Sequence, residues 1–204
     1  MRAFPRLMLV LLAVLGGCLK DNGGGSDTET LSLSGIVYGG DGKPQADALV
    51  KLFPSDYNPS RPDASRLRSA RTGADGGFRF EGLAGAGPYN LVSQAGPERQ
   101  TAFAESLRAG PAAETLRLTL ARTYFLSMHD SSYAASDSGI VYFPGTDILA
   151  RCDSRSLSKV DSIPAGLRRI VAESRKGWRR DSLLVITRDS VRIEASEKGF
   201  LVIP

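Results

Sequence analysis

Thr72-Gly73-Ala74-Asp75-Gly76-Gly77-Phe78-Arg79-Phe80 decides how the chain folds. Asp75-Gly76 is a tight-turn signal requiring positive φ, the chemistry of a β-hairpin corner. Phe78-Arg79-Phe80 alternates apolar and polar with the two-residue period of a half-buried strand. Working outward, the same alternation recurs on both sides. Leu31, Leu33, Gly35 and Val37 fall on one face, and Ser32, Ser34, Ile36 and Tyr38 on the other. Gly39-Gly40-Asp41-Gly42-Lys43-Pro44 is dense turn chemistry. Ala48 to Phe53 reads as a strand stopped by Pro54, and Ser55 to Asp63, with Pro59 and Pro62, as a loop. Arg66 to Arg71, Tyr89 to Ser93, Thr101 to Glu105 and Thr115 to Leu120 complete about seven short strands. No stretch here holds a helical period over three turns, so this half is an all-β sandwich.

The signals return downstream: Tyr124 to Met128, Gly139 to Phe143, Asp147 to Cys152, Ser158 to Val160, Leu167 to Ala172, Leu183 to Thr187 and Val191 to Ala195. Laying Phe80-Glu81-Gly82-Leu83 over Val160-Asp161-Ser162-Ile163 aligns Ala86-Gly87 with Ala165-Gly166, with one extra residue in the first copy. The reading is of two tandem units of similar topology.

Ahead of the first strand the composition changes twice. Residues 19–30 carry Gly23-Gly24-Gly25 and no apolar period, the mark of a flexible coil reaching roughly 20 Å. Before them, Arg2 and Arg6 open a basic start and Leu7 to Leu15 is apolar. That run is shorter than the about 20 residues a membrane-spanning helix needs. It fits the charged and apolar regions of a secretory signal. Leu15-Gly16-Gly17-Cys18 resembles the lipobox of bacterial lipoproteins, in which cleavage falls between Gly17 and Cys18 and the cysteine receives diacylglycerol and an acyl chain such as palmitate. The resemblance implies export and anchoring at the outer membrane or cell surface. Leu19 follows the cysteine, and the rule by which Asp there retains a lipoprotein in the inner membrane does not apply.

The first unit resembles the carboxypeptidase regulatory-like domains, through Ser34-Gly35-Ile36-Val37-Tyr38, Asp41-Gly42-Lys43-Pro44, Ala48-Leu49-Val50-Lys51-Leu52, Thr72, Asp75-Gly76-Gly77-Phe78-Arg79-Phe80, Leu83 and Gly87-Pro88-Tyr89-Asn90-Leu91. The resemblance implies a transthyretin-like Greek-key β-sandwich. Leu52-Phe53-Pro54-Ser55-Asp56-Tyr57-Asn58-Pro59 and Val141-Tyr142-Phe143-Pro144-Gly145-Thr146-Asp147 look like stretches of bacterial surface lipoproteins carrying two such repeats. The second unit departs from the pattern, with Ser156 and Ser158 in place of Gly and Phe and Arg168 in place of Tyr. The expected fold is therefore all-β: two tandem small Greek-key sandwiches, the second degenerate. The expected division is signal peptide 1–17, lipidated tether 18–30, first sandwich 31–121 and divergent second sandwich 122–204.

The site chemistry is sparse. The formal charge is +4, and without Arg2 and Arg6 the chain has 24 basic and 22 acidic residues, a net +2. That argues against a nucleic-acid partner. Cys152 stands alone once Cys18 is lipidated, so no intramolecular disulfide forms. His129, beside Asp130 and Ser131, is the chain's single histidine, which rules out the two-His zinc centre of the peptidases that carry this domain type as an accessory. Asp137, Asp147 and Asp153 lack the dense acidic spacing of a calcium loop. No catalytic residue, metal or cofactor beyond the lipid on Cys18 is expected. Arg168-Arg169 and Arg175-Lys176-Gly177-Trp178-Arg179-Arg180 concentrate positive charge in a hairpin. With Trp178, Tyr57, Tyr124, Tyr133 and Tyr142 as the aromatics placed to stack on sugar, the glycan-contact candidates are Trp178, Tyr142 and Tyr57. Function is read as a non-catalytic, lipid-anchored envelope protein serving a structural, adhesive or interaction role with the membrane and envelope proteins. The alternative is a surface lipoprotein that binds polysaccharide through an aromatic and basic loop face.

Overall fold

The computed structural model describes residues 30–96, 99–111, 115–129, 138–153, 158–174, 179–186, 191–194 and 201–203. The Asp75-Gly76 turn forms, with Gly76 at φ +73° and the Gly77 N–H donating to Asp75 Oδ1 at 2.9 Å. It is not a hairpin, however. The preceding strand β3 (Arg68–Arg71) pairs with β2 (Leu49–Pro54), whereas the following strand β4 (Gly77–Phe80) pairs with β1 (Leu33–Tyr38). The corner thus carries the chain from one sheet to the other, and the Val37 N–H donates to the Gly76 carbonyl at 2.9 Å.

With β5 (Tyr89–Ala95), β6 (Gln100–Leu107) and β7 (Thr115–Thr119), these strands form sheets of order β4-β1-β7 and β3-β2-β5-β6. Leu33, Val37, Phe78, Phe80 and Leu118 of the first sheet share one core with Val50, Leu52, Leu91 and Ala102 of the second, together with Leu83, and Tyr89 packs against it. The result is a Greek-key β-sandwich. Gly35 lies at the tightest point. A Cβ there would sit 2.7 Å from both the Leu116 carbonyl oxygen and Phe78 Cζ, so β1 can lie between β4 and β7 only without a side chain at this position.

The second sandwich comprises β8 (Tyr124–His129), β9 (Ser138–Tyr142), β10 (Leu149–Asp153), β11 (Ser158–Ile163), β12 (Arg169–Ser174), β13 (Arg179–Ile186), β14 (Val191–Glu194) and β15 (Leu201–Ile203). Its sheets, β11-β8-β15 and β10-β9-β12-β13-β14, repeat the first unit's order strand for strand, with β14 added at an edge. The addition has a geometric consequence. β7 runs parallel to β1, but one extra strand reverses the chain, and β15 pairs antiparallel with β8. The repeat alignment appears in the backbone too: Gly82 and Ser162 have φ +64° and +62°, and Gly87 and Gly166 have +107° and +98°. Val141, Phe143, Val160, Ile163 and Ile170 form the second core.

The two units meet along one seam. The Gly145 N–H donates to the Tyr57 carbonyl at 2.7 Å, and Asn90 Nδ2 donates to the Gly145 carbonyl at 3.3 Å. Lys51 pairs with Asp147. Phe103 packs against both the second core and a small cluster of Phe53, Tyr57 and Val92 on the outer side of the first unit's four-stranded sheet. Among the described residues no helix is long and apolar enough to cross a membrane.

Candidate functional site

Where β2 ends, Pro54 releases the chain into a loop that returns through a 3-10 turn, Ala64–Arg66. Asp63 starts that turn: its Oδ1 accepts the Ser65 N–H at 3.0 Å and the Ser65 hydroxyl at 2.6 Å. These bonds favour the ionised form and hold the Asp63 carboxyl below its usual value of 3.8. The turn presents Arg66, whose Nη2 meets Asp56 Oδ1 at 2.5 Å. Two residues beyond, Arg68 reaches across to the loop after β4, donating through Nη1 to the Glu81 carbonyl at 2.8 Å and through Nη2 to the Gly82 carbonyl at 3.0 Å. On the opposite side the Tyr89 hydroxyl donates to the Gly85 carbonyl at 2.9 Å, and the Ser55 N–H donates to the Pro88 carbonyl at 3.0 Å. Asp56, Ser65, Arg66, Arg68 and Tyr89 line a cleft of about 580 Å³ together with Leu52 and Leu83. The volume lies within the about 300–1,000 Å³ range of small-ligand sites, and the lining mixes apolar surface with convergent polar groups in the usual way.

A second, more polar cleft of about 370 Å³ lies at the seam, lined by Lys51, Gln94, Arg99, Thr101, Asp147 and Asp161 among others. Lys51 and Asp147 neutralise one another across it. The Thr101 hydroxyl is buried there without a protein partner, a position suited to a bridging water.

Of the glycan-contact residues expected from sequence, the two that are described, Tyr142 and Tyr57, are both buried. Tyr142 is 1% exposed, with its hydroxyl donating to Glu173 Oε1 at 2.7 Å, and Tyr57 is 3% exposed against Phe53 at a ring separation of 5.5 Å. Neither presents a ring face for a sugar, which corrects the expectation for both: Tyr142 is enclosed beside Glu173 and Tyr57 is covered at the seam. Burial, together with the nearby Asp147 and Asp63 carboxylates, raises the Tyr57 phenol above 10.0. Trp178, Gly17, Cys18, Tyr133, Asp130, Ser131, Asp137 and Ser156 lie outside the described residues, as do Arg175, Lys176 and Gly177 of the basic run. Arg168 and Arg169 are exposed, and Arg179 approaches Glu173 at 3.8 Å. Among the described residues no three His, Cys, Asp or Glu side chains cluster as metal ligands. The residues that do converge are Asp56, Arg66, Arg68 and Tyr89. The sequence marks Tyr89 as the start of a strand, Asp56 as loop and Arg66 and Arg68 as strand, and gives none of the four a binding role.

No family model matches the chain, and no curated protein matches it. Solved structures with some likeness include catechol 1,2-dioxygenase from Acinetobacter, 18% identical over 49% of this chain, at a TM-score of 0.32. The chain spans 55% of that protein's length. A Bacteroides uniformis protein provisionally assigned to carbohydrate binding is 7% identical, over 84% of this chain and 97% of that one, at 0.32. A DUF3823 family protein from Parabacteroides merdae is 12% identical, over 76% and 90%, at 0.28. At such scores none carries an argument about what this chain does.

Proposed function

We propose that this protein is a non-catalytic lipoprotein of the cell envelope, anchored through Cys18 and displaying two sandwiches as an interaction module. The observation that carries the reading is Leu15-Gly16-Gly17-Cys18, closing an apolar run too short to span and opening onto a glycine-rich tether. Lipid on the cysteine contributes about 0.8 kcal/mol per buried methylene, so two or three chains give lasting attachment. Cys18→Ala should leave the protein in the soluble fraction or stall it unprocessed. A mature N-terminal peptide bearing diacylglycerol on Cys18, read by mass spectrometry, is the positive outcome. Retention of a processed Cys18→Ala protein in membranes overturns the anchor.

A second reading, that the module binds carbohydrate, is supported by the cleft at the end of β2. Tyr89, Pro54 and Pro88 offer C–H and ring surface, while Asp56 and Arg66 offer an acceptor and a donor side by side. Retention of the full-length protein on immobilised polysaccharide tests it, with loss in Tyr89→Ala placing the site in the cleft. Loss in Trp178→Ala alone would place it in the basic 175–180 segment instead.

A further inference from the structure

We infer that the cleft at the end of β2 selects a saccharide that carries a carboxylate, a uronic acid unit; this rests on the carbohydrate reading and specifies its ligand. Arg68 sets the sign. Two of its five N–H groups are spent on the Glu81 and Gly82 carbonyls, at 2.8 and 3.0 Å, which orient the guanidinium without cancelling its charge. The Glu81 carboxylate is engaged elsewhere, by Arg79 Nε at 2.7 Å. Arg66 differs, because Asp56 neutralises it. The charged groups lining the cleft are thus two guanidinium groups and one carboxylate, an excess of one positive charge. A planar guanidinium held in place is suited to a carboxylate, which it can grip through two parallel bonds.

The rest of the lining argues for a sugar over a bare anion. A simple anion has no use for a cleft of about 580 Å³ walled by Pro54, Pro88 and a tyrosine ring. A pyranose does, because one of its faces is C–H and packs on such surface. Its vicinal hydroxyls alternate as donors and acceptors, which the Asp56–Arg66 pair matches. The cleft is also preorganised: Asp63 holds the turn carrying Arg66, Arg68 is clamped, and Tyr89 is pinned by Gly85. Little side-chain freedom is left to lose on binding.

The test is calorimetric titration of the full-length protein in detergent with galacturonate, glucuronate and mannuronate oligosaccharides, their carboxyl-reduced neutral counterparts, and poly-glutamate. At least one uronate oligomer should bind about tenfold or more tighter than its reduced form, the discrimination expected of a charge-assisted pair. Arg68→Gln should abolish that discrimination, Arg68→Lys should keep part of it, and Tyr89→Ala should weaken the acidic and neutral oligomers alike. A melting curve on each variant separates lost binding from lost fold. Equal binding of neutral and acidic oligomers would overturn the inference and leave the carbohydrate reading standing. Failure of every saccharide would remove both. Poly-glutamate binding as tightly as the uronates would reduce the cleft to an anion patch. Binding unchanged in both Arg68→Gln and Tyr89→Ala would take the site out of this cleft.

Discussion

At Gly35 the sandwich has no tolerance. The residue pairs with Phe78 on one side and Leu116 on the other, and an added Cβ would meet main chain as well as a ring that is 6% exposed. Gly35→Ala should therefore destabilise the protein by about 1–3 kcal/mol, the range of an overpacked site whose neighbours cannot all yield. Denaturant unfolding measures it, and a loss under about 0.5 kcal/mol would show that the strands part easily. Tyr57 makes a prediction of a different kind. Its phenol is raised above 10.0 by burial first and by Asp147 and Asp63 second, so the fold favours the neutral form. For an acid shifted upward, that stabilisation is complete below the unfolded value of 10.0. It is lost as pH climbs from there through the folded value, because the unfolded chain gives up its proton first. Melting temperature should consequently fall between pH 9.5 and 11 by more in the wild type than in Tyr57→Phe, while the two agree closely at pH 7. An identical alkaline fall in both would remove Tyr57 from the account.

Elements were more legible than sites, and the pentapeptide Ser-Gly-Ile-Val-Tyr shows why. It occurs at Ser34–Tyr38 in β1 and at Ser138–Tyr142 in β9, strands that hold different places in their sandwiches. Alternation announces a strand in both cases but carries no address, so Tyr38 is left half-buried under Arg117 while Tyr142 is enclosed beside Glu173. That is how a buried tyrosine came to look like a sugar platform. Turn chemistry was the better guide, since positive φ is a property of the residue itself, and the alignment through Gly82 and Ser162 survives in the backbone. What local pattern could not supply was β15, only three residues long, and the start of β13 at Arg179, where a run of charge reads as loop. The cleft was invisible for a related reason: Asp56, Arg66, Arg68 and Tyr89 come from separate segments and share no spacing. The same repeat yields a test. Ser162 adopts the left-handed conformation at a register shift between β11 and β8, where its counterpart is glycine. Relief of that strain, less the entropy glycine adds to the unfolded chain, should make Ser162→Gly stabilising by about 0.5–1 kcal/mol. A lower midpoint in denaturant would mean that the serine side chain contributes more than its backbone costs.

Taken whole, the molecule couples its two sandwiches through contacts that are short and specific more than extensive. Lys51–Asp147 is about one-third exposed at each end, so it contributes at most about 1 kcal/mol. The tighter couplings are main-chain and amide bonds at Gly145, with Asn90 bound on its other side by the Ser106 N–H at 3.2 Å, and the Phe103 side chain that belongs to both apolar clusters. Gly145 has φ +72°, and a Cβ there would approach Asn90 Nδ2 to 2.0 Å and the Ser55 carbonyl oxygen to 3.0 Å. Gly145→Ala is consequently a wedge driven into the seam, touching neither core. If the seam makes the two units one cooperative body, the wild type unfolds in a single calorimetric transition, and Gly145→Ala splits it into two with the second sandwich melting first. The second is the more exposed to loss because Phe103, which packs against its core, is supplied by the first unit. Lys51→Met, which removes only the screened pair, should leave the single transition in place with a shift of a few degrees at most. One unsplit transition at the wild-type temperature in Gly145→Ala would mean that cooperativity runs through the Leu120–Tyr124 connection and Phe103.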